Sequence, residues 1–390
     1  MLNRRILRVK AMQSLYAFHQ MKEANREVVK NMLAESYAPD LNANELPDKE
    51  ALDRDKKAAL GVYDEFFKKS KTEASESVDK EIISNVNRHL SKYHTMVSED
   101  VARAKKHMLL EVDQIFNNYL KLLLLAQEFL VLDQRDADKK ATNRHRIHSS
   151  KNNISKNPYF LAFEEFKTFE LQVIRKNVSW ENHRDELKSW YKDLKNNDEL
   201  FQNYQQLDNP TDEQHLEIIN HVLKSMPFKK ENVKLFMEGE DLHWSENKTI
   251  IKSLINKTIK SYDPDSEEKY QLMEVNKNEE DDIPFFKFLY SETIERDQEF
   301  EEIIAHRAKN WEVDRMATID KIILKMALTE MINYPGIPTK VSINEYIELS
   351  KNYSTPKSKQ FINGVLDVLA EDLTKDGIIK KSGRGLIDNK

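Results

Sequence analysis

The chain has 390 residues, 33% charged and 39% apolar, with a formal net charge of −6. At roughly 150 residues per domain that length is two to three domains, and the apolar share is below the usual range of about 45–50%. The absence of cysteine excludes a disulfide framework, a thiolate metal site and a Cys nucleophile. Only 7 Gly and 10 Pro leave too few turn residues for a β-sandwich, a propeller or a doubly wound sheet, so the expected fold class is all-α.

The first helix is expected from Asn3, a good N-cap residue, with Leu7, Ala11, Leu15 and Phe18 as its apolar stripe. Arg4, Arg8 and Arg5 fall at about 0°, 40° and 100° on its wheel, so all three guanidinium groups share one face, while Lys10 lies elsewhere. Cations in a first turn oppose the helix dipole, at a few tenths of a kcal/mol each. Four bases in ten residues without an acid therefore read either as a solvated basic end or as a phosphate-binding arm. Residues 39–50 read as a linker, and helical periodicity returns from Leu60 to Leu132. The segment Ile115–Leu132 is apolar nearly all round, as in a buried helix. Lys121, Gln127 and Glu128 interrupt it, and it falls short of the ~20 apolar residues that a bilayer requires. The N-terminus lacks the apolar core of a signal peptide, so the expectation is a soluble, cytoplasmic protein with no membrane association.

Residues 133–158 turn polar and read as a second linker. Helical spacing resumes over 159–225 with Phe160, Phe163, Phe166 and Phe169, then Trp180, Leu187, Trp190 and Leu194. Residues 263–282 carry nine acids against two bases and read as an exposed connection. In the last block Ile319, Ile322, Ile323 and Met326 form a stripe that ends at Tyr334-Pro335-Gly336-Ile337-Pro338. Ser342-Ile343-Asn344-Glu345 is a capping-box pattern. Thr355-Pro356 reads as an N-cap followed by proline at the first helical position. Phe361, Val365, Leu366 and Leu369 give that helix its buried face, and residues 379–390 read as a disordered tail.

Little in the sequence points to catalysis. The glycines are too scattered for a phosphate-cradling loop or a dinucleotide fingerprint. Glu240-x-x-His243 is a single such pair where a di-iron bundle needs two. Glu217/His221 and Glu302/His306 read as surface pairs, and His145 and His148 as loop residues. No catalytic residue, cofactor or metal is expected. A second basic group does combine cations with aromatics: Lys351, Lys357 and Lys359 alternate with Tyr353 and Phe361. Single-stranded RNA binding uses that combination to hold phosphates and stack bases. The structural alternative puts Phe361 in the core stripe of its helix and makes Tyr353 the cap of the preceding one.

Two stretches carry a family resemblance. Asn3-Arg4-Arg5-Ile6-Leu7-Arg8-Val9-Lys10-Ala11-Met12-Gln13-Ser14-Leu15-Tyr16 resembles the arginine-rich first helix of the NusB transcription antitermination family. Ile323-Leu324-Lys325-Met326-Ala327-Leu328-Thr329-Glu330, Val341 to Tyr353, and Phe361-Ile362-Asn363-Gly364-Val365-Leu366-Asp367 resemble three later motifs of that family, in order and spacing. The resemblance implies NusB-like helical bundles assembled from residues 1–38 and 281–378. Residues 39–280 would be a large helical insertion after the first helix, for which the family supplies no role. It further implies a transcription antitermination factor that binds boxA-type single-stranded RNA together with the ribosomal protein NusE, in the RNA polymerase antitermination complex of ribosomal RNA operons.

Carried over residue by residue, Arg4, Arg5 and Arg8, with Lys10 beside them, match the basic RNA motif. Tyr16, Tyr353 and Phe361 match aromatic positions near the RNA path. Lys357 stands where family members often carry an acid, which favours phosphate, and Lys359 follows it. Asn-Gly usually marks a turn. Within a helix, Gly364 would permit close packing and Asn363 would be structural or reach RNA. A methyltransferase fused to such a domain would need Gly-rich loops and a catalytic Cys, which this chain lacks. The remaining alternative is a protein-interaction scaffold in ribosome biogenesis or transcription, with a vestigial RNA surface.

Overall fold

The computed structural model describes residues 2–39, 48–69, 78–142, 153–276, 278–307 and 316–389, which are helical, with no strand among them. Two compact units divide the chain. One comprises Arg4–Leu109 and Glu280–Lys390, the other Met1–Asn3 and Leu110–Glu279.

In the first unit α1 (Arg4–Glu35) buries the expected stripe of Leu7, Ala11, Leu15 and Phe18. The helix then runs on with Val29 and Leu33. These pack with Ala59 and Tyr63 of α2 (Lys49–Lys69) and with Ile82, Val86, Leu90 and Tyr93 of α3 (Lys80–Thr142). The buried Asn25 amide donates to Asp100 at 2.7 Å. Residues 40–47 of the expected 39–50 linker lie outside the described residues, and Lys49 already begins α2. The division expected near residue 39 is thus displaced, because α1, α2 and the front of α3 share one core.

Beyond Leu109, α3 enters the second unit with Ile115, Tyr119, Leu120, Leu122–Leu125, Ala126, Phe129 and Leu130 buried. The helix contains a window apolar enough to cross a membrane by length and composition, and 61% of that window is buried inside the fold. Residues 133–137, expected to open a linker, are helical. The reason is the buried Asp133 carboxylate, which accepts from the Tyr191 hydroxyl at 2.7 Å and from the Ser155 N–H at 3.1 Å. Residues 143–152, with His145 and His148, lie outside the described residues.

Short helices fill the rest of this unit: α4 (Pro158–Leu161), α5 (Lys167–Lys176), α6 (Arg184–Asn197), α7 (Glu199–Gln206) and α8 (Asp212–Asn220). After them come α9 (Met226–Lys229), α10 (Glu231–Glu240) and α11 (Trp244–Lys260). Their ends are set locally. Asn157 caps α4 ahead of Pro158, Asn177 ends α5 in the left-handed region at φ 52°, and Thr211 and Gln214 form a capping box on α8. Between α8 and α9, His221–Ser225 form a π-helical turn. The expected aromatic residues are core: Phe163 and Phe166 meet both Tyr270 and Phe169, and Trp180 meets Trp190 edge-on with ring centroids 5.6 Å apart.

The chain returns to the first unit with α12 (Glu279–Glu295), α13 (Asp297–Arg307), α14 (Thr318–Asn333), α15 (Thr339–Tyr353) and α16 (Ser358–Lys375). The acidic 263–282 run is therefore not an exposed connection throughout: its last four residues are helical, and Asp282 is buried. The capping box expected at Ser342–Glu345 does not form. Pro338 caps α15 four residues earlier, which leaves Ser342 and Glu345 for tertiary partners. Thr355-Pro356 is a turn just ahead of α16, where the Thr355 carbonyl accepts the Ser358 N–H at 3.0 Å.

The tail expected to be disordered is docked instead. Ile379 is buried, and Lys381 Nζ donates to the carbonyls of Met331 and Tyr334 at 2.8 and 3.1 Å, where the open C-terminal carbonyls of α14 favour a cation. Ser382 N–H donates to the Pro335 carbonyl, and a Cβ added at Gly385 would lie 2.0 Å from that oxygen. Gly385→Ala is therefore expected to release the tail. Amide exchange should rise over residues 379–387 and stay unchanged in α14, and unchanged protection of the tail would contradict the docking.

Candidate nucleic-acid interface

The arginines of α1 meet acids contributed by three other helices. Glu330, wholly buried in the last turn of α14, accepts Arg8 Nε and Nη2 at 2.7 Å each, Ser342 Oγ at 2.7 Å and the Tyr346 hydroxyl at 3.1 Å. A buried charge pair is tolerated when its geometry is bidentate and its remaining lone pairs are satisfied, as they are here. Burial opposes the Arg8 charge, but the Glu330 carboxylate and its hydrogen bonds more than offset this and raise the guanidinium above its ordinary value. Burial, with the Glu330 charge next, pushes the Tyr346 phenol well above its own.

This placement corrects one expectation. Arg8 and Lys10 are 4% and 1% exposed, so neither lies on an accessible cationic face. The wheel contains the reason: Arg8 sits about 20° from Leu15 and thus on the apolar stripe. Arg4 is partly exposed, with Nε donating to Asp282 at 2.9 Å and its guanidinium 4.9 Å above the Phe285 ring. Arg5 points outward. Its side chain is 59% exposed while it holds Glu345 through Nε at 2.9 Å and Nη2 at 2.6 Å. The hydrogen bond from Arg5 holds the Glu345 carboxyl below the ordinary carboxylate range, against the effect of burial, with the Arg8 and Arg5 charges assisting.

The second basic group lies partly with the first. Lys351 pairs with Glu348, whose carboxyl is lowered chiefly by that hydrogen bond and also by the charges of Arg5 and Lys359. Charges from α1 and α16 thus act on the carboxylate that Lys351 of α15 holds. Lys357 is exposed in the turn before α16, and Tyr353 and Phe361 are half-buried on either side of that turn. Asn363 is exposed inside α16, where its amide donates to Asp367 at 3.1 Å. Tyr16 is 41% exposed, about three turns along α1 from Arg5.

The residues that sequence reasoning missed are the acids, Asp282, Glu330 and Glu345, together with Ser342 and Tyr346. Glu330 did leave a signal. It lies in the run Ile322–Met331, which is apolar apart from it, Lys325 and Thr329, and a carboxylate buried there requires a cation. The histidine pairs resolve structurally. His221 meets Asp198 at 2.9 Å, the other residue expected to pair with it being Glu217, and His243 meets Glu111 at 3.1 Å. Among the described residues no group of three His, Asp or Glu is placed to hold a metal ion.

Because Arg5–Glu345 is largely exposed, Arg5→Ala is expected to cost no more than about 1 kcal/mol of stability at neutral pH. The lowered Glu345 carboxyl contributes stability that is present above about pH 4.3, the unfolded value, and lost as pH falls through the lower folded value. Urea denaturation on either side of that range should therefore show Arg5→Ala losing less stability on acidification than the parent. An identical acid loss in both would show that the pair does not set the Glu345 carboxyl.

Residues 245–371 match the model of the NusB family. The transcription antitermination protein NusB of Salinibacter ruber is 47% identical over 103 residues, 26% of this chain and 64% of that protein. The same-named protein of Chloroherpeton thalassium is 47% identical over 103 residues, 26% of this chain and 48% of its own length. That of Natranaerobius thermophilus is 40% identical over 91 residues, 23% of this chain and 66% of its own. The chain thus spans about half to two thirds of the curated relatives it matches. No solved structure matches. The match begins within α11, upstream of the boundary expected at residue 281, and takes in Glu330, Glu345, Tyr353, Lys357, Lys359, Phe361 and Asn363.

Proposed function

With residues 245–371 forming a domain of the NusB family, we propose that this chain is a non-catalytic transcription antitermination factor. It binds boxA-type single-stranded RNA together with NusE, in the antitermination complex of RNA polymerase in the cytoplasm. The observation that carries the reading is the exposed Arg5 on Glu345 and the Lys351–Glu348 pair three residues further along α15, next to the turn that bears Tyr353 and Lys357, within and beside the family-matched helices. In this reading Arg5, Lys357 and Lys359 meet phosphates, with Arg4 at the margin, and Tyr353 stacks a base. Phe361, Tyr16 and Asn363 remain secondary contacts. Arg8 and Lys10 hold α1 in place rather than touching RNA.

Fluorescence anisotropy with a boxA-type RNA tests this, and binding should be tighter with NusE than without it. Base stacking is worth about 1–3 kcal/mol per base, so Tyr353→Ala should weaken binding about tenfold with little change in melting temperature. Tyr353→Phe should be nearly silent, because the ring face survives. An early-melting Tyr353→Ala whose folded fraction binds normally would make the residue core and end the stacking assignment. A specific observation favours a second reading, that of a protein-interaction scaffold with a vestigial RNA surface: Arg4, Arg5 and Arg8 all face carboxylates that a phosphate would have to displace. Absence of RNA binding even with NusE present would favour it.

A further inference from the structure

In the unit formed by Leu110–Glu279, several cations are matched by acids. Lys121 meets Glu240 at 2.6 Å, Lys195 meets Asp136 at 2.5 Å, and Lys230 meets both Asp193 and Asp198. Of the cations without such a pair, three are drawn together. Lys252, Asn256 and Lys260 recur at i, i+4 and i+8 on α11, which places them on one stripe of that helix spanning roughly 12 Å. Lys224, from the π-helical turn between α8 and α9, donates from Nζ to Asn256 Oδ1 at 2.7 Å and so joins the stripe from a second element. No ion pair to a carboxylate is found for these three lysines among the described residues. Lys252 Nζ lies 5.7 Å over the Phe228 ring, which is stacked on Trp244 and fixes the end of the stripe nearest α9.

Gathering three like charges without a counter-charge lowers stability, and folded chains keep such local conflicts mainly where function requires them. Burial chiefly, and after it the charges of Lys260 and Lys252, lower the Lys224 ammonium. A π-turn is itself a rare element found disproportionately at functional sites, and here it is the element that carries Lys224 to Asn256. The chain has more acids than bases, so the absence of a carboxylate from this stripe is not forced by composition.

We infer that Lys224, Lys252 and Lys260, with the Asn256 amide between them, form a second contact for the backbone of single-stranded RNA, separate from the residues around Arg5. The inference rests on the antitermination reading above for the identity of the polyanion. Ammonium groups along one helix edge suit the regularly spaced charge of a phosphodiester strand, and an amide held by one of those ammonium groups can add a hydrogen bond to a phosphate oxygen.

The test uses the full chain and a fluorescein-labelled single-stranded RNA bearing a boxA-type sequence and a long extension. If three phosphates are neutralised, the slope of log affinity against log salt should fall by about two units in Lys224→Gln/Lys252→Gln/Lys260→Gln. Between about 50 and 200 mM salt, the parent should accordingly lose about sixteenfold more affinity than the variant. Melting temperature should hold or rise, because repulsion is removed. The double variant Lys252→Gln/Lys260→Gln touches only exposed side chains, so it keeps the test valid if the triple variant misfolds. It should lower the slope by more than one unit. Arg5→Ala, assayed in parallel, separates the two ideas. Unchanged slope and affinity in the folded lysine variants, with Arg5→Ala weakened, overturns this inference and leaves the antitermination reading standing. A parent chain that binds no RNA with or without NusE overturns both. Lysine variants that lose binding to phosphatidylglycerol-containing vesicles or to polyglutamate, but not to RNA, assign the stripe to another partner and likewise overturn it.

Discussion

Arg8→Ala is expected to destabilise the unit containing α1 and α14 by about 3–5 kcal/mol, because it leaves the wholly buried Glu330 carboxylate without its cation. Glu330→Gln should cost a similar amount by stranding the Arg8 guanidinium between the Phe285 and Tyr346 rings. The informative measurement is the double variant. Arg8→Met with Glu330→Gln removes both charges, while the amide oxygen can still accept from one of the Ser342 and Tyr346 hydroxyls and its NH2 can donate to the other. It should recover much of the loss, since replacing a buried ion pair as a unit is often close to neutral. Strictly additive losses in urea denaturation would show that the two charges do not depend on one another. The same experiment bears on function. Any loss of RNA binding in Arg8→Ala should track the loss of folded protein, whereas Arg5→Ala should lose binding while staying folded.

The second large effect is expected in the other unit. The buried Asp241 carboxylate accepts from Asn118 Nδ2 at 2.7 Å, Asn247 Nδ2 at 2.9 Å and the His243 N–H at 2.8 Å. It thereby ties α3 to the junction between α10 and α11. Asp241→Ala leaves two buried amides and a backbone donor without their acceptor. At about 1–3 kcal/mol for each unsatisfied group, the loss should reach roughly 3–9 kcal/mol. Asp241→Asn keeps one acceptor oxygen and should lose distinctly less. Hydrogen exchange resolved by segment is the suitable readout, because a chain of two units need not unfold in one step. Protection should fall across residues 110–279. A uniform loss in both units, or none in either, would contradict the role given to Asp241.

These two networks also mark where reading the sequence stops. The helices themselves were legible because burial follows a period of 3.6: Leu7, Ala11, Leu15 and Phe18 on α1, Ile322, Ile323 and Met326 on α14, and Val365, Leu366 and Leu369 on α16 are all buried. The apolar run Ile115–Leu132 reads as a buried helix and lies within α3 with most of its apolar residues buried. Boundaries that depend on distant partners were not legible. Asp133 reads as a polar linker residue until Tyr191 and Ser155 supply donors for it, and the tail reads as disordered until Lys381 finds the end of α14. The Ser342–Glu345 capping box is a local pattern, but it competes with an arginine more than three hundred residues away, and the arginine takes Glu345.

The sequence by itself determined an all-α chain, the motifs that tie its C-terminal part to the NusB family, and the residue types that could meet RNA. Each of these is written in local spacing, which pattern and composition record directly. Only the tertiary structure decided which cations are available. Arg5 and Arg8 are three residues apart on one helix, yet the first is largely exposed and the second is buried against Glu330, because α14 approaches only one side of α1. Likewise Lys224 joins Lys252 and Lys260 only through the packing of the π-helical turn on α11. Whether a charge is exposed, paired or gathered with its own kind depends on what packs against it, and that is fixed by contacts between residues far apart in the chain.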